Sequence, residues 1–76
     1  MAYNGHKNWN HWNVSLWINN DEGLYNVARQ FKRSRKTADK AARDMLQELT
    51  DMGIDKTPDG APYSVSSIAA AMLGMP

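Results

Sequence analysis

The sequence of 76 residues contains no cysteine. That absence removes disulfides, thiolate zinc sites and a cysteine nucleophile together. Packing, or a partner subunit, must then stabilise the chain. A single domain of this size buries only about 60% of the surface its unfolded chain exposes, so little apolar area can be wasted. Long apolar runs are missing too. Nothing approaches the ~20 residues a membrane-spanning helix needs, and the polar opening MAYNGHKNWN lacks the apolar stretch of a signal peptide. The chain reads as one helical domain over residues 1–76, not membrane-bound and with no export signal, which places it in the cytoplasm.

The motifs of common chemistries are also absent. There is no Gly-x-Ser-x-Gly turn, no phosphate loop and no His-Glu-x-x-His pattern. His6 and His11 have no suitably spaced second ligand, and Asp21 and Glu22 are neighbours that would not face each other on a helix. No metal, cofactor or catalytic residue is expected, and the chain is read as not an enzyme.

Three tryptophans, Trp9, Trp12 and Trp17, lie within nine residues. Either they build the core of a small domain, or one of them anchors an interface or stacks on a base. The core reading is favoured, with Trp9 nearest the surface. Net charge is only +1, but it is unevenly laid out. Arg29, Lys32, Arg33, Arg35, Lys36, Lys40 and Arg43 face a single acid, Asp39, in their stretch. The sign then reverses through Asp44, Glu48, Asp51, Asp55 and Asp59, against Lys56. Such a division bears on partners rather than on fold.

The apolar spacing predicts four helices and an all-α bundle. Asn8 is placed to cap a first helix from Trp9 to about Ile18, in which Trp9, Trp12 and Leu16 share a face that Val14, Trp17 and Ile18 widen. A strand competes here, because Trp12, Val14, Leu16 and Ile18 also alternate. Asn19 or Asn20 would cap a second helix, about Asp21 to Arg33, with Leu24, Val27, Ala28 and Phe31 inward. Ser34 or Thr37 would cap a third, whose stripe is Ala38, Ala41, Ala42, Met45, Leu49 and Met52. Gly53 suits the left-handed stop, with Ile54 folding back in a Schellman motif. Pro58-Asp59-Gly60 suits a tight turn, and Ser64 caps a last helix built on Val65, Ile68, Ala69 and Met72, stopped by Gly74 and Pro76. The tryptophan helix would form the central element, with the third helix packed on it.

The basic residues Arg29, Lys32, Arg33, Arg35, Lys36, Lys40 and Arg43 could track a phosphate backbone. Two of them have carboxylates at i,i±4, Asp39 with Arg43 and Lys40 with Asp44, so a self-paired solvated face is the plainer reading. These seven residues and Trp9 are the candidate contacts for a partner or a nucleic acid. A helix–turn–helix reading of residues 21–52 lacks the short glycine-containing turn.

The opening Tyr3-Asn4-Gly5, then Asn8 and the run Trp12-Asn13-Val14-Ser15-Leu16-Trp17-Ile18-Asn19-Asn20-Asp21-Glu22-Gly23-Leu24-Tyr25, is distinctive. It resembles a family of small, largely uncharacterised proteins of phages and other mobile elements, with the form N-x-x-x-W-N-V-x-L-W-[IL]-x-N-D-E-G-x-Y. The Thr57-Pro58-Asp59-Gly60 turn is similar to one found in some members, and His11 stands where several relatives have a threonine or another polar residue, which argues against a required histidine chemistry. The resemblance implies an accessory role in an infected or carrier bacterial cell and carries no active site. The leading expectation is a non-enzymatic protein that binds a host protein or complex and inhibits a defence system, in the manner of an anti-CRISPR. A nucleic-acid-binding accessory protein using residues 29–43 is the alternative, and a self-associating homo-oligomer the third.

Overall fold

The computed structural model describes residues 6–73 and residue 75. The Tyr3-Asn4-Gly5 opening and the stop at Gly74 and Pro76 lie outside them. Four helices follow in chain order: α1 Trp9–Asn20, α2 Glu22–Ser34, α3 Ala38–Asp51 and α4 Val65–Met72. The all-α expectation holds, and the competing strand at residues 12–18 does not form.

Local chemistry sets the boundaries. The Asn8 side chain accepts from the His11 amide at 3.0 Å, satisfying one of the unpaired donors of the first turn. α1 runs past the expected stop at Ile18, and the side-chain Nδ2 groups of Asn19 and Asn20 donate back to the backbone carbonyls of Ser15 and Leu16, both at 2.8 Å. Neither asparagine caps α2. Asp21, extended at φ −98°, is the single residue between the two helices, and its side chain makes no cap bond. Thr37 rather than Ser34 caps α3, accepting from the Lys40 amide at 3.1 Å, while the Ser34 hydroxyl bonds back to Gln30 at 2.8 Å.

α3 ends as the spacing predicts. Gly53 has φ +78°, a conformation costly for residues carrying a Cβ. The Ile54 amide reaches the Leu49 carbonyl at 2.9 Å and the Gly53 amide that of Thr50 at 3.0 Å, the bond pair of a Schellman stop. Ser64 and Ser67 form a reciprocal capping box on α4. Between α3 and α4 the chain doubles back at Thr57-Pro58-Asp59-Gly60. Here the Gly60 amide donates to the Thr57 carbonyl at 2.9 Å, the Thr57 amide to the Ala61 carbonyl at 2.8 Å, and Gly60 sits at φ +96°.

The core comprises Val14 and Ile18 of α1, Ala28 of α2, Ala41, Ala42, Met45 and Leu49 of α3, and Ile68, Ala71 and Met72 of α4. Ala61, Tyr63 and Met75 close it from the connector and the C-terminal end. α4, short and almost wholly apolar or small, packs on α1 and α3 and touches α2 across the middle.

Two expectations are corrected. α3 lies against α4 and α2 and not alongside α1. The tryptophans do not fill the core: Trp12 and Trp17 are half-buried and Trp9 is exposed. The buried residues of α1 are Asn13, Val14 and Ile18; Val14 and Ile18 lie on the opposite side from the Trp9-Trp12-Leu16 stripe, and Asn13 borders it.

Candidate interaction surfaces

α1 has a structural face and a free one. On the structural face Asn13 is buried, with 1% of its surface exposed. Both ends of its amide are used: Nδ2 donates to Asp59 at 2.9 Å, and Oδ1 accepts from the Thr57 hydroxyl at 2.6 Å. The Trp17 indole N–H donates to the same Asp59 oxygen at 2.9 Å, and the Thr57 oxygen accepts the Ala61 amide at 3.1 Å. Donation first from Asn13 and then from Trp17 holds the Asp59 carboxyl below its usual range. The tryptophan segment and the Thr57–Gly60 turn, the two stretches that carry the family resemblance, are therefore clasped to each other. Sequence reading gives Asp59 a turn role and a place in the acidic stretch, and misses this network. An asparagine set between Trp12 and Val14 in an apolar helix was the available signal.

The free face is aromatic and uncharged. Trp9 and Leu16 are 38% and 39% exposed, and half-buried Trp12 joins Leu16, Ser15, Asn19 and His6 around a shallow depression. No Asp, Glu, Lys or Arg occurs in α1. Large apolar side chains exposed together on one helix face are unusual where nothing covers them, and tryptophan is enriched among the residues that dominate protein–protein binding.

The basic candidates are mostly engaged within the chain. Arg35 and Lys40 share Asp44, at 2.6 and 3.1 Å, and Arg43 holds Asp39 at 2.8 Å. Arg35 also lies over the Phe31 ring, 5.1 Å from its centroid. These pairs draw Asp44 down from the ordinary carboxylate range, Arg35 contributing most, and raise the Arg43 guanidinium. Lys32 donates to the Met75 carbonyl, fastening the C-terminal end. Arg29 is half-buried, and its Nε has no hydrogen-bond partner among the described residues. Arg33 and Lys36 are exposed and make no ion pair there. Both i,i+4 pairs foreseen in the sequence form. The Arg35–Asp44 bridge, nine residues apart, was not foreseen.

One arrangement resembles a catalytic pair. His11 Nε2 lies 3.2 Å from the Ser66 hydroxyl beside the N-terminus of α4. Burial, then Lys7 and His6, lower the His11 pKa, so the ring is neutral near pH 7. A serine nucleophile also needs its histidine oriented through Nδ1 and an enclosed place for substrate. No described residue bonds to that nitrogen, and Ser66 lies on an open surface. The contact ties α1 to α4. Among the described residues, no three His, Asp or Glu side chains converge on a metal-sized site, and no helix is long and apolar enough to cross a membrane.

No curated protein and no solved structure is detectably similar to the chain. Residues 1–75 do match a family model described as Family of unknown function, DUF7249, and the chain belongs to that family.

Proposed function

We propose that this protein is a non-catalytic binding module that engages a host protein or complex through the outer face of α1. The observation that carries the reading is the Trp9-Trp12-Leu16 stripe, in which Trp9 and Leu16 are exposed and Trp12 is half-buried, while other residues of the same helix build the core. Holding such side chains in water forgoes roughly 25 cal/mol for each Å² of apolar surface that burial would remove, so a covering partner is the economical explanation. The resemblance to phage and mobile-element proteins supports an accessory role in a bacterial cell, with inhibition of a defence system as the task. The nucleic-acid reading has less support, because Arg35 and Lys40 share Asp44 and Arg43 is paired with Asp39. It predicts DNA or RNA binding that falls steeply with salt and weakens when Lys36, Lys40 and Arg43 are replaced by alanine.

The deciding comparison is quantitative affinity capture from a bacterial host lysate, with the wild type and the double variant Trp9→Ser/Leu16→Ser side by side. A host protein recovered by the former and lost by the folded variant supports the proposal. Equal recovery by both overturns it. A wild-type dimer that the double variant converts to monomer, by light scattering, assigns the face to a second copy instead.

A further inference from the structure

A second surface, sharing no residue with the α1 stripe, lies where the start of α2 meets the end of α3. Leu24, Val27, Leu49, Met52 and Ile54 line an apolar groove of about 330 Å³. Met52 is 64% exposed there. The apolar spacing predicts Met52 on the inward stripe of α3; it is instead the C-cap residue of that helix and lies at the surface. A Cβ built on Gly23 meets nothing within 4 Å, so the groove stands open at that end. A shallower depression shares Val27 and Glu48 and continues past Phe31 to Ser34. From Gly23 to Ser34 the helical rise gives a trough of roughly 16 Å, the length of about three helical turns. An elongated segment fits that shape better than a compact ligand does.

Charge identifies the segment. Asp39 and Asp44 are ion-paired, and Asp59 is held by Asn13 and Trp17. The other carboxylates, Asp21, Glu22, Glu48, Asp51 and Asp55, are all exposed and make no ion pair among the described residues. Asp21 and Glu48 line the groove directly, and the other three adjoin lining residues in the chain. No lysine or arginine lines it. We propose that this groove docks a cationic amphipathic segment of a partner protein, its apolar side chains on Leu24, Val27 and Met52 and its lysines or arginines against Asp21 and Glu48. The mode is that of an amphipathic helix laid in a groove, with apolar anchors giving affinity and the acidic rim giving orientation and selectivity.

The test uses three fluorescein-labelled peptides of about fourteen residues, enough to span the trough. One carries leucines at helical spacing with lysines between them, one replaces each lysine by glutamate, and one scrambles the first. Fluorescence anisotropy is expected to show binding of the first, none of the second, and roughly tenfold weaker binding of the third. Gly23→Leu, which fills the open end, and Met52→Ser, at an exposed side chain, should each weaken the first peptide by roughly tenfold with unchanged melting. Glu48→Lys should weaken it roughly three- to tenfold, and Trp9→Ser should leave it unchanged. Equal binding of the cationic and scrambled peptides, or full binding by both Gly23→Leu and Met52→Ser, overturns the proposal. So does wild-type self-association that Gly23→Leu abolishes, because the occupant is then a second copy.

Discussion

A buried asparagine is costly unless both ends of its amide find partners. Asn13 meets that condition only because a turn more than forty residues later brings Thr57 and Asp59 to it. Replacing Asn13 by alanine strands the Thr57 hydroxyl and removes a donor from Asp59, so urea unfolding should show a loss of about 1–3 kcal/mol. The same network makes stability depend on acid. Asp59 and Asp44 both have carboxyls held below their unfolded value of about 3.9. A carboxylate with a lowered folded pKa contributes its full stability above the unfolded value and loses it as pH falls through the folded one. The melting temperature should therefore drop on acidification below about pH 4. Asp59→Asn, which removes one titrating group, should give a shallower drop over the same range. An equal drop in the variant would detach Asp59 from acid stability.

At the level of elements, α1 separates what was legible from what was not. Its cap at Asn8, like Thr37, Ser64 and the Gly53 stop elsewhere, depends on residues three to five apart and could be read directly. Its orientation could not. Trp9, Trp12 and Leu16 form one apolar stripe and Val14, Trp17 and Ile18 another, so the helix has no polar side to mark the solvent. Asp59 and Thr57 decide which stripe faces inward, and no local pattern connects them to α1. The consequence is measurable. Ile18→Ala, at a fully buried side chain, should cost about 2–5 kcal/mol, whereas Trp9→Ala should stay within about 0.5 kcal/mol of wild type despite the larger deletion. Gly53→Ala should cost about 1–2 kcal/mol, because its φ of +78° penalises a Cβ even in open space. The i,i+4 ion pairs were legible for the same local reason as the caps. Arg35–Asp44 crosses from the end of α2 to α3 and needed the packed pair.

Over the whole molecule, the uneven charge of the sequence resolves into two different situations. Much of the basic tract is spent internally, on Asp39, Asp44 and the Met75 carbonyl. The acids around the α2–α3 groove are left facing solvent. With α4 in contact with all three other helices, the small core is complete without the outer stripe of α1. The central claim is that this stripe serves binding and not folding. The most direct measurement takes Trp9→Ser/Leu16→Ser through urea unfolding and host-lysate capture together. An unfolding free energy within about 1 kcal/mol of wild type, with the wild-type partner lost, is the predicted result. Collapse of the fold, or a partner still captured by the folded variant, would contradict it.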